Sequence, residues 1–214
     1  MINNSYYSQD VHGPYELHDI GNLDLEEGGT IRDCKLAYAT LGTLNTADDN
    51  AILIPTWYSG TNKIIEQVYI SKGRALDPDK YFIIVVNQIG GGLSSSPHNT
   101  PASAVMGHFP HVRIGDDVRA QHKFITEKFD LKRFTLVVGG SMGAQQTYEW
   151  AVRYPDMVKR AAPSPVPRET PSTISFSLKP SSRRSHPTPV STRVSTHRRP
   201  MYEKVCCATP KCGQ

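Results

Sequence analysis

The stretch "TLVVGGSMGAQQTYEW", residues Thr135 to Trp150, decides the fold of this chain. An apolar run is followed by two glycines and a serine, and then by residues that suit a helix as far as Pro155. Gly139 to Gly143 fits the pattern G-x-S-x-G, in which the serine sits in a strained backbone between a strand and a helix. The pattern therefore predicts that Ser141 is a nucleophile, and that Gly139 and Gly143 are small because side chains there would strike the neighbouring strand or helix.

A nucleophilic serine needs partners, and the sequence supplies candidates for some of them. A base must take the proton of the hydroxyl and an acid must orient that base, and in this fold both follow the serine in the chain. Backbone N–H groups must also stabilise the developing oxyanion. We expect the N–H of Met142 to be the first donor. The loop Thr56–Gly60 should supply the second, for which Tyr58 is our choice and Trp57 the alternative.

Further strands and helices are predicted around this turn. Apolar runs without polar alternation are typical of strands buried on both faces, as in a parallel sheet. Strands alternating with helices indicate an α/β sheet with helices on both faces. The predicted strands are 29–41, 51–57, 81–87, 134–138 and, more weakly, 157–162; the predicted helices start near 115 and 141 and end near 129 and 154.

The C-terminal part differs in composition from the rest of the chain. The whole sequence has 24 Lys and Arg against 20 Asp and Glu, but residues 164–214 have nine of the basic residues and only Glu169 and Glu203 as acids. This segment is rich in Ser and Pro and cannot bury enough apolar surface to offset the entropy of ordering it. We therefore divide the chain into a partial domain, 1–163, and a basic, disordered tail, 164–214.

Composition also limits the partners and cofactors. No apolar run is long enough to span a bilayer and the N-terminus lacks a secretory signal, so a cytoplasmic protein is expected. The four cysteines of the chain have neither disulfide nor zinc-ligand spacing, and the histidines of the 89–111 loop are not spaced as zinc ligands. No metal site is therefore predicted. Tyr202 is the only aromatic residue near the basic clusters of the tail, so nucleic-acid binding through this tail is kept only as a non-enzymatic alternative. The oligomeric state is left open.

Three motifs together carry a family resemblance. They are "VRAQ" at Val118–Gln121, "GGSMG" at Gly139–Gly143 and "YPDMV" at Tyr154–Val158. With "NQIGGGLSSSPHNTP" and "AILIPTWYSGT", they resemble the branch of the α/β hydrolases that contains the homoserine O-acetyltransferases, over about residues 29–163. The resemblance implies an α/β-hydrolase fold, a mostly parallel sheet with helices on both faces, that stops after the strand following the helix at Ser141.

The same resemblance implies a reaction. Ser141 would take an acetyl group from acetyl-CoA, a co-substrate rather than a bound cofactor, and a small hydroxyl acceptor would remove it. The loop Thr56–Gly60 differs from the His-Ala-Leu-Thr-Gly stretch usual in the transferases. A serine esterase or hydrolase of the same fold is therefore the alternative.

The resemblance ends after Pro163. The family continues with a helical lid and strands that deliver the catalytic acid and histidine, and none of that is recognisable here. The acids and histidines beyond this point are tail residues and not credible triad members, so little or no turnover is expected from the chain. They are Glu169, His186, His197 and Glu203.

A shift of reading frame would explain this break. Read one base out of frame, Ser164 to Thr170 permits Ile-Ala-Gly-Thr-Ala-Arg-Asn, which resembles what the family places after its "RAAP" strand. The segment from Ser185 to Val190 similarly permits Ile-Thr-Ser-Asp-Pro-Gly. We therefore predict a frameshift near Pro163.

Overall fold

The sheet that carries Ser141 is described in a computed structural model covering residues 4–100, 108–164 and 176–177. The strands are β1 Glu16–Asp19, β2 Leu23–Asp24, β3 Thr30–Ile31, β4 Lys35–Leu41, β5 Ala51–Pro55, β6 Phe82–Val86, β7 Leu136–Gly140, β8 Arg160–Ser164 and β9 Phe176–Ser177. The helices are α1 Gln9–His12, α2 Asn62–Tyr69, α3 Ile114–Phe129 and α4 Met142–Arg153. Seven strands form one sheet in the order β1-β4-β6-β5-β7-β8-β9, and β2 pairs with β3 separately.

The centre of the large sheet is parallel and is covered on both faces. Strands β6, β5, β7 and β8 run parallel, whereas β1, β4 and β9 pair antiparallel at its two sides. Leu53 and Ile84 belong to a core shared with α3 and α4, while Ile52 and Ile83 belong to a second core shared with α2. Because successive residues of β5 and β6 face different cores, both runs are apolar throughout. The α/β fold with helices on both faces is confirmed.

Some boundaries differ from the sequence prediction. The alternating segment 29–41 is divided into β3 and β4 by a turn in which Asp33 has a φ of 48°. Strand β7 ends at Gly140 rather than at 138, and Phe134 instead makes an isolated bridge with Val158. The last predicted strand, 157–162, is found at Arg160–Ser164, because β8 extends alongside β7 as far as Gly140.

The boundary predicted after residue 163 falls inside β8. A two-residue strand, β9, then pairs antiparallel with β8 at Arg160 and Ala161. Residues 165–175 and 178–214 lie outside the described residues. The expectation of a disordered tail, the frameshift and the nucleic-acid alternative all fall there and stay predictions.

Candidate active site

Ser141 forms the turn between β7 and α4, and its backbone is strained. Its φ is 52° and its ψ is −119°. Asp130 also has a positive φ, but its ψ of 27° lies in the ordinary left-handed region, which the ψ of Ser141 does not. A non-glycine residue in such a conformation costs on the order of 1–3 kcal/mol. Three hydrogen bonds hold the turn. The Ser141 N–H donates to the Ser164 carbonyl at 3.2 Å, and the Ser141 carbonyl accepts the N–H groups of Ala144 at 3.0 Å and Gln145 at 3.3 Å.

Two glycines allow α4 to approach the sheet at this turn. A Cβ atom on Gly143 would lie 2.5 Å from the carbonyl oxygen of Pro55, and one on Gly139 would clash with the carbonyl of Gly143. Both neighbours are backbone atoms, which cannot rotate away as a flexible side chain can. The packing of α4 on β5 and β7 therefore requires glycine at both positions.

The loop Thr56–Gly60 faces the same edge of the sheet. It leaves the carboxyl end of β5, the parallel neighbour of β7. Within the described part of the chain, neither the N–H of Met142 nor the N–H of Tyr58 donates a hydrogen bond. The assignment of these two groups as oxyanion donors stays a prediction.

No histidine is bonded to Ser141 within residues 4–100 and 108–164. The Nδ1 atom of His12 lies 3.1 Å from Oγ1 of Thr61, and the His122 ring stacks on Tyr154 with 4.0 Å between centroids. Burial lowers the pKa of both imidazoles. His122 is thus a packed residue of α3 rather than a base for Ser141. A base and an acid from later in the chain would come from outside the described residues.

The strand–serine–helix turn lies inside a segment with a recognised fold. Residues 52–164 match the family described as having the alpha/beta hydrolase fold. The chain belongs to the α/β hydrolase family. The matched segment includes Tyr58 and Ser141 and ends with the last residue of β8, next to the point where the motif resemblance stops.

Among the α/β hydrolases, the relatives with high sequence identity to this chain include esterases. The chain is 65% identical over 159 residues to ethyl acetate hydrolase of Pseudomonas veronii, which covers 74% of this chain and 46% of that protein. A solved structure of an acetylester hydrolase from Corynebacterium glutamicum matches with 60% identity and a TM-score of 0.75, over 80% of this chain and 50% of that one. The chain spans about half the length of the curated relatives it matches.

Similarity to the transferases is more distant. Homoserine O-acetyltransferase of Methanohalobium evestigatum is 42% identical over 171 residues, covering 72% of this chain and 35% of that protein. The resemblance noted in the sequence is therefore real at the level of the fold family. The identities favour the esterase alternative over the transferase that we placed first.

Two buried aspartates of α3 join this helix to distant loops of the chain. Asp116 and Asp117 lie in the first turn of the helix, where acids are favourable near the positive end of its dipole. In the structure, Asp117 accepts the N–H of Ile89 at 2.8 Å, and Asp116 accepts the N–H of Glu26 at 2.9 Å. Burial raises the pKa of Asp117 to about 7. Sequence patterns miss this role because both bonds join residues far apart in the chain.

Ser94 and Ser95 are also structural. Both side chains are buried. The Ser94 hydroxyl accepts the N–H of Ala37, and the Ser95 hydroxyl accepts that of Lys35, each at 2.9 Å. These bonds attach the start of the 89–111 loop to β4.

A small cavity lies near the turn that carries Ser141, although Ser141 is not part of its lining. About 20 Å³ of apolar space lies next to the turn, where Tyr69, Gly140 and Ser164 are part of its lining. This is near the volume needed for one water-sized group. Larger cavities of about 230 and 300 Å³ lie along β1 and β4, and Ser141 lines neither.

Metal-ligand clusters and membrane-spanning helices are two further features considered from the sequence. Across the described ranges, no cluster of His, Cys, Asp or Glu side chains has the arrangement of a metal site. The helices of those ranges are all too short or too polar to cross a bilayer.

Proposed function

We propose that this chain carries the nucleophile half of a serine esterase that acts on small acyl esters. The observation that carries the proposal is the strained backbone of Ser141 between β7 and α4. Such strain persists only where the surrounding structure maintains it, and it is characteristic of functional sites. The relatives named for ethyl acetate and acetyl ester hydrolysis, at 60–65% identity, support an ester with a short acyl group.

The reaction would proceed through an acyl-serine. The Oγ atom of Ser141 forms a bond to the ester carbonyl carbon, and its proton passes to a base. The carbonyl oxygen becomes an oxyanion facing the N–H groups of Met142 and Tyr58. Collapse of this intermediate expels the alcohol, and water then attacks the acyl-serine to release the acid. No described histidine is bonded to Ser141, so we expect slow turnover; loss of a triad member lowers kcat by roughly 10⁴–10⁶-fold.

Acetyl transfer to a hydroxyl acceptor is the second candidate. The transferase of M. evestigatum at 42% identity favours it. The loop Thr56–Gly60, which lacks the usual transferase sequence, argues for water as the acceptor. Acetyl-CoA as the acyl donor stays a prediction.

A single-turnover assay tests the proposal and separates the two candidates. The purified 214-residue chain is mixed with p-nitrophenyl acetate, with and without homoserine, and p-nitrophenolate release is followed. We expect a burst of at most one equivalent that is absent in Ser141→Ala and retained in the control Ser71→Ala, whose serine is exposed in a turn after α2. An equal burst from Ser141→Ala would contradict the proposal, and acetylated homoserine would favour the transferase.

A further inference from the structure

We propose that Gln146 is a positioning residue that fixes the oxyanion loop relative to Ser141. The side chain is fully buried on α4, on the helix whose first residue, Met142, supplies the other candidate donor. Its Nε2 atom donates to the carbonyl oxygen of Thr56 at 3.2 Å. Gln146 thus joins α4 directly to the loop Thr56–Gly60.

Gln146 belongs to a buried series of hydrogen bonds, which we call the amide relay: Trp150, Gln121, Gln146 and the Thr56 carbonyl. The Gln146 Nε2 group has two hydrogens, and it also donates to Oε1 of Gln88, at 3.4 Å. The indole Nε1–H of Trp150 donates to Oε1 of Gln121 at 2.8 Å. The Nε2 atom of Gln121 then donates to Oε1 of Gln146. All three side chains are fully buried, so no water competes for these groups.

The two ends of the relay set the direction of every bond in it. An indole N–H can only donate, so Gln121 must present its oxygen to Trp150 and its NH₂ group to Gln146. Gln146 must then accept with its oxygen, which turns its NH₂ group toward Thr56. A backbone carbonyl can only accept. The relay therefore has a single consistent orientation.

This orientation also determines where the loop N–H groups point. In a trans peptide the C=O and the N–H point in opposite directions. Gln146 donates to the Thr56 carbonyl, so the N–H of Trp57 in the same peptide points away from the side-chain amide of Gln146. The Trp57 carbonyl accepts the N–H of Gly60 at 3.0 Å, which in turn orients the N–H of Tyr58. Both candidate loop donors are thus fixed through their own peptide carbonyls.

The inference rests on the proposed function, which gives the loop its role, but its test uses no ester. Trp57 and Trp150 are the two tryptophans of the chain, so ¹⁵N-tryptophan labelling reports the two ends of the relay alone. Trp57→Phe assigns the signals. The readouts are the Trp57 backbone amide and the Trp150 indole N–H in the full-length chain.

We expect Gln146→Met to shift both signals. Gln121→Met should do the same, although Gln121 does not touch the loop. The matched control Gln145→Met, at the exposed neighbouring position, should shift neither. If Gln121→Met leaves the Trp57 amide at its wild-type position, Gln146 is only a packing residue and the proposal is wrong.

A second variant covers the case in which the methionine variants do not fold. Gln146→Glu keeps the shape and the acceptor, and replaces the amide donor by a carboxyl oxygen that can donate only while it is protonated. The Trp57 amide of this variant should therefore shift as the pH is raised from about 5 to about 9, while the Trp150 indole stays. The relay would be overturned if the Trp150 indole N–H of the wild-type chain had the chemical shift of a tryptophan in an unstructured peptide. Failure of ester hydrolysis would leave these results unaffected, so the two proposals fail separately.

Discussion

At the scale of single residues, the site depends on where side chains are absent or buried. Ser141 keeps its strained backbone because α4 lies against β5 and β7, and glycines at 139 and 143 make that approach possible. Asp117 has the opposite character, since it is an ionisable side chain enclosed by protein. The glycines and Asp117 each lead to a prediction about stability.

Gly143→Ala should destabilise the fold. The added methyl group would lie 2.5 Å from the Pro55 carbonyl, which is backbone, whereas a methyl group on Gly140 would lie 3.3 Å from the hydroxyl oxygen at the far end of the Tyr69 side chain. Overpacking of this kind costs about 1–3 kcal/mol, which exceeds the helix-propensity gain of alanine. Urea unfolding of both variants measures the difference. Equal stabilities for Gly143→Ala and Gly140→Ala would show that α4 does not pack as closely as described.

Asp117→Asn should change how stability depends on pH. Burial raises the pKa of Asp117 in the folded chain to about 7, whereas the unfolded chain has the ordinary value of about 3.9. Between these values the folded state binds more protons, so this group lowers stability as pH rises, by up to about 1.4 kcal/mol for each pH unit. Urea unfolding at pH 5.5 and 7.5 should show the asparagine variant gaining on wild type at the higher pH. A constant difference would contradict the burial of a titrating carboxylate.

At the scale of elements, α4 and β8 differ in how well their neighbours hold them in place. Helix α4 is held by the glycine contacts at its start and by the amide relay along its length. Strand β8 pairs with β7 over four residues but with β9 over only two. Its outer edge therefore depends on a short strand, and exposed strand edges favour pairing between molecules.

Deleting residues 165–214 should increase self-association, because the deletion removes β9 from the edge of β8. Static light scattering at matched concentrations compares the shortened and full-length chains. The same scattering from both would show that β9 does not protect this edge.

At the scale of the whole molecule, regular elements were predictable and long-range partners were not. Helices α3 and α4 and strands β5 and β6 follow from local apolar patterns, and the turn at Ser141 follows from its small residues. The burial of Asp116, Asp117, Ser94 and Ser95 depends on backbone groups distant in sequence, so no local pattern reveals it. The amide relay could not be predicted for the same reason. Glutamine is common on exposed helix surfaces, so nothing in the local sequence marks Gln121 and Gln146 as buried.

The reading frame near Pro163 is a prediction about the gene. The match to the α/β hydrolase family ends at residue 164, close to the predicted position of the shift. Sequencing of the transcript across the codons for Arg160 to Thr170 should reveal an inserted or deleted base, or a splice error, relative to the frame that encodes the family pattern. An uninterrupted frame with no such alternative would rule the frameshift out.

The central claim is that the turn at Ser141 creates a nucleophile, and site-resolved acetylation tests it most directly. The full-length chain is treated with p-nitrophenyl acetate, digested and analysed by peptide mass spectrometry, with the exposed Ser71 as an internal control. Oxyanion stabilisation and binding alone supply roughly 10³–10⁴-fold over water even without a complete triad. Ser141 should therefore carry acetyl groups well before they accumulate on Ser71. Acetylation of Ser141 no faster than that of Ser71 would contradict the claim.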